Sequence, residues 1–131
     1  VLDAAQPRGQ RERGLRRLLN FGHTVGHAVE KATGYSRLLH GEAVAIGMVV
    51  AARLSENLGL CGPDVAARVQ ALLSALGLAT EVPGDVETAA LIDAIAYDKK
   101  ASGGKVAFVL AEAIGRCVQR EIGRGSIRVV L

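Results

Sequence analysis

Apolar residues recur along most of the chain at steps of three and four positions, which is the spacing of amphipathic helices. The longest such pattern predicts a helix from His40 to Leu58. Because this helix is apolar nearly all round, we expect it to be central and buried. Three further helices are predicted over Asn20 to Thr33, from an N-cap at Asp64 to Gly77, and over Val86 to Lys99.

The last part of the chain has a different pattern. Lys105 to Leu110 is apolar and partly β-branched and predicts a strand, and Arg116 to Arg120 predicts a second short strand. The two strands are expected to pair as a small hairpin across Ile114-Gly115. The tail from Ser126 to Leu131 is compatible with either helix or strand. The predicted fold class is therefore mainly α, with a β-hairpin near residues 105-120.

Two glycines occupy positions that a helix normally avoids. Gly22 and Gly26 fall inside the first predicted helix, where each costs about 1 kcal/mol relative to Ala. Their spacing leaves a face of small residues, which implies that another helix or a ligand approaches closely. Asn20 is the expected N-cap of this helix, and Gly34 is its expected stop signal.

Charge and composition narrow the functional classes. The 131 residues carry a net charge of +3 and predict one domain, residues 1–131. Arginines cluster between Arg8 and Arg17, which is compatible with a solvated helix face or with a site for an anionic substrate. Nucleic acid is not favoured as a partner, because the basic residues are not interleaved with aromatic ones.

Cysteine usage and the length of the apolar runs indicate the cellular compartment of the protein. Cys61 and Cys117 are far apart in the sequence, and we expect two free thiols in a reducing compartment. The longest apolar run, from Ala43 to Ala52, is too short to span a bilayer, and no signal peptide is visible. A soluble, cytoplasmic protein without a membrane partner is therefore expected.

All three histidines of the chain, His23, His27 and His40, lie within one short stretch. His23 and His27 are four residues apart, so on a helix they project from one face, and a short connection can bring His40 beside His23. The cluster favours a metal site over hydrogen-bonded core histidines, since clustered exceptions to local propensity gather at functional sites. Catalytic zinc needs three protein ligands, and Glu30 and Glu42 are the local carboxylates.

The spacing of His23 and His27 is also that of the metalloprotease motif His-Glu-x-x-His. Thr24 stands where that motif has its essential glutamate, so the general base is missing. The residue chemistry alone supports a metal site beside an anion-binding group and does not name a reaction.

Three blocks of sequence stand out in a fixed order: Gly14 to Glu30, Leu39 to Met48, and Asp98-Lys99-Lys100 followed by Gly104-Lys105 and Phe108-Val109-Leu110. Together they closely resemble the signature of the 3-dehydroquinate synthases. The resemblance extends from about Glu12 to about Val118, which is most of the chain. It implies the helical, metal- and substrate-binding second domain of a two-domain enzyme.

The resemblance also implies an activity and its cofactors. The family converts 3-deoxy-D-arabino-heptulosonate 7-phosphate to 3-dehydroquinate, with NAD bound mainly by an α/β domain that is absent from this chain. By this resemblance His23 and His40 are ligands of Zn2+ or Co2+, and a glutamate of the NAD-binding domain is the third ligand. That domain is expected in cis or in trans, and the full enzyme is expected to be a homodimer.

The remaining site residues are likewise implied by the resemblance. Arg16, Asn20 and His27 are expected to contact the phosphate, carboxylate or hydroxyls of the substrate. One lysine of the pair Lys99 and Lys100 is expected to reach the phosphate or carboxylate. The resemblance thus implies that the catalytic residues are His27, Lys99 and Lys100.

The chain departs from the family pattern at both ends, and three alternatives stay open. No glycine-rich dinucleotide fingerprint occurs, and Gly9-Gln10 stands where the family usually has an acidic pair. A terminal helix is implied where the tail pattern is ambiguous. We expect the isolated chain to be inactive. The alternatives are a domain of another sugar-phosphate cyclase, for example one acting on sedoheptulose 7-phosphate, a non-catalytic helical module that binds a partner, and a nucleic-acid binder.

Overall fold

A computed structural model describes residues 21–35, 37–98 and 105–131 of the chain. In these ranges five helices flank one two-stranded antiparallel sheet, which confirms the predicted fold class. The elements in chain order are α1 (His23–Ala32), α2 (His40–Asn57), α3 (Val65–Ala75), α4 (Thr88–Asp98), β1 (Lys105–Ala113), β2 (Arg116–Gly123) and α5 (Arg124–Val130).

The long helix α2 lies at the centre of the molecule. It contacts α1, α3, α5 and β1, and ten of its residues are buried. The prediction of a central, buried helix over this segment is thus confirmed. The main core cluster joins side chains of every element except α3; its largest fully buried members are Ile46, Leu54, Leu91, Ile95, Phe108, Leu110 and Ile127.

Helices α1 and α2 approach each other through three glycines. A Cβ atom on Gly47 of α2 would lie 2.0 Å from the carbonyl oxygen of Gly22, and one on Gly26 would lie 3.1 Å from the backbone of Ala43 and Val44. The contact at Gly47 leaves no room for a side chain, and the contact at Gly26 is tighter than ordinary van der Waals contact. The predicted small-residue face therefore receives another helix.

The start of α1 differs from the prediction. Gly22 has a left-handed backbone conformation, with φ of 84°, and is the residue at the N-cap, so the helix begins at His23. The predicted start at Asn20 is wrong, because a left-handed residue interrupts the helical path before His23. Asn20 itself lies outside the described residues. Gly26 remains inside the helix, as predicted.

Glycine ends each of the first three helices, and the sequence predicted this at Gly34 and Gly77. Gly34, Gly59 and Gly77 have φ angles of 77°, 75° and 80°, which residues with side chains rarely adopt. Asp64 occupies the N-cap of α3, but its side chain makes no capping hydrogen bond. The backbone N–H of Ala66 instead donates to Glu56 Oε2 at 2.5 Å.

The hairpin is longer than predicted and is irregular at one point. The strands turn at Ile114-Gly115, as expected, and pair in register from Lys105 with Gly123 up to Ala111 with Cys117. A register shift between Ala111 and Ala113 marks a β-bulge. After β2 the chain enters α5, which settles the ambiguous tail in favour of helix. No helix among the described residues is long and apolar enough to cross a membrane.

Candidate metal and substrate site

The three histidines meet where α1 packs against the start of α2. The ring centroids of His23 and His27 are 6.2 Å apart, those of His23 and His40 are 5.7 Å apart, and those of His27 and His40 are 6.3 Å apart. His23 and His27 share a face of α1 because they are one turn apart. We call these three residues the histidine corner. The predicted approach of His40 to His23 is confirmed.

The three rings differ in exposure. His27 is exposed and 58% of the His40 side chain is accessible, whereas Nδ1 of His23 is buried and has no hydrogen-bond partner among the described residues. A buried polar atom without a partner destabilises a fold by about 1–3 kcal/mol. Such an atom is uncommon in folded proteins and requires a specific explanation, such as a missing ion.

Two carboxylates lie close to the histidine corner and have different roles. Nδ1 of His40 is 2.9 Å from Glu30 Oε1, and only 16% of the Glu30 side chain is accessible. Glu42 accepts a hydrogen bond from the backbone N–H of Leu39 at 3.0 Å and thereby caps α2. Glu42 is therefore occupied by the helix start, and Glu30 is the carboxylate that belongs to the site.

The role of Glu30 was missed in the sequence, although a signal was present. Glu30 follows His27 by three positions and His23 by seven, so all three project from one face of α1. The sequence named Glu30 and Glu42 as the local carboxylates without choosing between them. The contact to His40 depends on the crossing of α1 and α2, which the helical pattern does not specify.

The donor set of the histidine corner fits part of a metal site. Among residues 21–35, 37–98 and 105–131, no group of three or more His, Cys, Asp or Glu side chains is arranged to hold a metal ion. Imidazole nitrogens are good zinc ligands, but catalytic zinc takes three protein ligands and keeps one position open. The orphaned Nδ1 of His23 fits such an ion. Among the described residues the histidine corner therefore offers only a partial donor set for a metal.

Four predicted substrate residues cannot be related to this geometry. Arg16, Asn20, Lys99 and Lys100 all lie outside the described residues. Their predicted roles remain predictions. Of the predicted site residues, the described part of the chain brings together His23, His27 and His40, with Glu30 beside His40.

The cysteines are separate from the histidine corner. Cys61 and Cys117 are both free and partly buried, and burial raises the pKa of each thiol. A raised pKa lowers the fraction of reactive thiolate at neutral pH. The expectation of two free thiols is confirmed.

One of the ion pairs on the described surface joins Arg37 and Asp85. The two guanidinium nitrogens donate to the two carboxylate oxygens at 2.6 and 3.1 Å. This bidentate contact lowers the pKa of Asp85. Asp85 also borders an open cleft of about 660 Å³ between α1 and α4 that has no histidine in its lining.

Solved structures define the class of protein to which this fold belongs. The chain is similar to 2-epi-5-epi-valiolone synthase from Streptomyces hygroscopicus subsp. jinggangensis, solved with NAD+ and Zn2+, at 29% identity and a TM-score of 0.74 over 86% of this chain and 31% of that one. It also matches the fold of 2-deoxy-scyllo-inosose synthase complexed with carbaglucose-6-phosphate, NAD+ and Co2+, at 23% identity and a TM-score of 0.75 over 85% of this chain and 33% of that one. The fold of this chain thus corresponds to about a third of each of these two enzymes.

Sequence comparison identifies the family. The family described as 3-dehydroquinate synthase C-terminal matches residues 6–101, and the chain belongs to this family. It is 54% identical over 115 residues to the 3-dehydroquinate synthase of Agrobacterium fabrum, covering 82% of this chain and 30% of the relative. It is 47% identical over 130 residues to the 3-dehydroquinate synthase of Roseobacter denitrificans, covering 95% of this chain and 35% of the relative. The chain thus spans about a third of the length of these curated relatives.

Proposed function

We propose that this chain provides the metal- and substrate-binding side of a 3-dehydroquinate synthase active site. The reaction converts 3-deoxy-D-arabino-heptulosonate 7-phosphate to 3-dehydroquinate and phosphate, a phosphate-eliminating lyase step of the shikimate pathway. The observation that carries the proposal is the histidine corner. The centroids of its three rings lie within 6.3 Å of one another. His23 Nδ1 is buried without a hydrogen-bond partner in the described part of the chain.

His23 and His40 are the proposed ligands of Zn2+ or Co2+. The two cyclase structures similar to this chain contain Zn2+ and Co2+, which supports either metal. A bound divalent metal supplies a Lewis acid that lowers the pKa of a substrate hydroxyl and so helps its oxidation. The third ligand in this proposal is a glutamate of the NAD-binding domain, in agreement with the incomplete donor set of the corner.

His27 is the proposed substrate contact of the histidine corner. Its side chain is exposed while that of His23 is partly buried, so the His27 ring is accessible from the open side of the corner. In the proposal Arg16, Asn20 and one lysine of the pair Lys99 and Lys100 bind the phosphate and carboxylate of the substrate. Fixed cations around the phosphate orient it as a leaving group, which is a positioning effect.

The hydride acceptor comes from a separate domain in this proposal. Both similar cyclase structures contain NAD+, whereas the 131 residues contain no glycine-rich dinucleotide fingerprint. We therefore assign NAD to an α/β domain joined in cis or acting in trans, and the assembled enzyme to a cytoplasmic homodimer. The chain alone is inactive in this scheme, because it has neither the hydride acceptor nor the third metal ligand.

The test is a reconstitution. The 131-residue chain is combined with the NAD-binding domain of the Agrobacterium fabrum relative, and phosphate release from the heptulosonate phosphate is measured with NAD and Zn2+. We expect turnover with the combination and none with the chain alone. We expect His23→Ala and His40→Ala each to reduce turnover by more than about 100-fold, beyond the range of residues that only support a ligand.

Two results would contradict the proposal. Turnover by the chain alone would show that the missing domain is not needed. No zinc binding and no turnover by a folded reconstituted protein would favour a non-catalytic helical module. A parallel assay with sedoheptulose 7-phosphate identifies the substrate, because faster turnover of that sugar would assign the chain to another cyclase activity.

A further inference from the structure

We propose that Glu30 is a positioning residue that fixes the His40 ring for metal binding. This inference rests on the proposed role of His40 as a metal ligand and goes beyond it, because Glu30 is not itself one of the proposed ligands. The observation behind it is the 2.9 Å contact between Glu30 Oε1 and His40 Nδ1.

The contact defines which nitrogen of His40 can bind a metal. A glutamate carboxylate accepts hydrogen bonds and does not donate them, so Nδ1 of His40 must carry the proton. In the neutral ring the lone pair is then on Nε2. The hydrogen bond to Glu30 thus selects the tautomer in which Nε2 is the metal-binding atom.

The contact also restrains a ring that is otherwise poorly held. His40 is the first residue of α2, and 58% of its side chain is accessible. An exposed side chain at a helix start exchanges between rotamers, and ordering it has an entropic cost. Glu30 is the less mobile partner of the pair, since only 16% of its side chain is accessible. The carboxylate therefore holds the ring, and not the reverse.

The backbone of Glu30 is fixed by the last turn of α1. Its carbonyl oxygen accepts hydrogen bonds from the backbone N–H of Tyr35 at 2.8 Å and from the Thr33 hydroxyl at 3.2 Å. The Thr33 hydroxyl also donates to the Val29 carbonyl at 2.8 Å. These bonds set the direction in which the Glu30 side chain leaves the helix, so the anchor of His40 is built before any metal arrives.

A carboxylate on the second nitrogen of a ligating histidine strengthens the metal site in two ways. It keeps the ring oriented, and its negative charge raises the basicity of the nitrogen that faces the metal. Loss of such a partner typically weakens metal binding 10–100-fold. We expect an effect of this size from loss of the Glu30 carboxylate.

The experiment compares Glu30→Met and Glu30→Gln in the reconstituted enzyme by titration with Co2+, followed through its visible absorption band. Methionine keeps the length and helix propensity of the side chain but has no carboxylate acceptor, so we expect the dissociation constant to rise about 10–100-fold. Glutamine can still accept from Nδ1, so we expect it to restore most of the affinity. At saturating Co2+ we expect the KM for the substrate to be unchanged in both variants.

The matched control is Glu56→Met. Glu56 of α2 is also a partly buried glutamate, and it also accepts one hydrogen bond from a different helix. The donor is the backbone N–H of Ala66 in α3, at 2.5 Å. Glu56 lies near the opposite end of α2 from His40. We expect this variant to lower the melting temperature and to leave the Co2+ affinity and the absorption band unchanged, as a purely structural glutamate should.

The outcomes separate this inference from the proposed function. If His40→Ala abolishes the Co2+ band and Glu30→Met binds Co2+ like the unchanged enzyme, the role of Glu30 is refuted and that of His40 stands. If His40→Ala has no effect on Co2+ binding, the metal site itself is refuted. If Glu30→Met and Glu30→Gln weaken binding equally, the carboxylate does not act through the hydrogen bond to Nδ1, and the inference fails.

Discussion

The two ends of α2 differ in whether the buried polar atoms near them have hydrogen-bond partners. Near the C-terminal end, Ser55 is fully buried, donates to the Ala51 carbonyl at 2.7 Å and accepts from the Ala111 N–H at 2.9 Å. At the N-terminal end, His40 is largely exposed, and Nδ1 of the neighbouring His23 is buried without a partner among the described residues. Helix α2 thus has a satisfied end, at Ser55, and an unsatisfied end, where it packs against the unpartnered His23 nitrogen of α1.

The difference separates groups that stabilise the fold from groups that serve the site. The Ser55 hydroxyl joins α2 to β1 and leaves neither its donor nor its acceptor unused. The histidine corner keeps nitrogen lone pairs available, which is unfavourable for the isolated fold and necessary for a ligand. Stability and function often conflict in this way at active sites. Substitutions at the two ends should therefore affect stability and metal binding differently.

The largest effect on stability is expected at the crossing of α1 and α2. Gly47→Ala would place a Cβ 2.0 Å from the Gly22 carbonyl oxygen and 2.8 Å from the Gly26 backbone nitrogen. Backbone atoms cannot move aside as a side chain can, so we expect a loss of about 3 kcal/mol or more in the free energy of unfolding. Urea unfolding followed by circular dichroism measures it.

The matched control for this substitution is Gly41→Ala in the same helix, where a Cβ would meet no atom within 4 Å. There we expect unchanged or slightly higher stability, by about 0.5–1 kcal/mol, because alanine is the better helix former. Equal effects of the two substitutions would show that the close crossing does not determine the requirement for glycine at position 47.

The next effect in size is expected at the satisfied end of α2. Ser55→Ala removes the hydroxyl that accepts from Ala111 N and leaves that buried N–H without its acceptor. We expect a loss of about 1–3 kcal/mol in the free energy of unfolding, with metal affinity unchanged. Ser74→Ala, at an exposed position of α3, is the control and should change stability by less than about 0.5 kcal/mol. A neutral Ser55→Ala would remove the contrast between the two ends.

A smaller effect on stability is expected at the unsatisfied end. His23→Ala removes the orphaned nitrogen together with the packing of the ring, and these changes oppose each other. We expect the free energy of unfolding of the chain to change by less than about 1 kcal/mol, while metal binding is lost. A large destabilisation without metal would mean that His23 has a structural role and that the two ends of α2 do not differ in kind.

The smallest effect is expected for the exposed ion pair of Arg37 and Asp85. The pKa of Asp85 is lowered by its hydrogen bonds from Arg37, so the pair stabilises the fold above the ordinary pKa of aspartate. That contribution is lost as the pH falls below about 4, through the lowered pKa of the folded state. In thermal melts, Arg37→Ala should lower the melting temperature slightly at pH 7, and the difference should shrink toward pH 2. A difference that grows on acidification would contradict this assignment.

Much of the fold follows from local sequence patterns. The apolar periods and the glycine stop signals predicted the helical segments, and the turn at Ile114-Gly115 was placed correctly. The start of α1 was not predicted, because the pattern around Gly22 is compatible with a helix until the close contact with α2 is known. The bulge near Ala111 was also not predicted; the Ala111 N–H beside it donates to Ser55, which is remote in sequence.

The candidate site was also predicted only as far as it depends on local sequence patterns. The spacing of His23 and His27 on one helix is a local property, so their shared face followed from the sequence. The approach of His40 needed only a short connection between two helices. The contact of Glu30 with His40 and the burial of His23 Nδ1 depend on how the helices cross, and the periodicity of a single helix contains no information on that angle.

The short connection between α1 and α2 has a consequence for the order of folding. Residues 33 to 39 are all that separate the two helices, so closing this loop loses little chain entropy, and the contacts it makes are local. The link from Ser55 to Ala111 closes a far longer segment. We therefore expect the α1–α2 hairpin, with its histidines already adjacent, to form early, and the β-hairpin to dock onto α2 late.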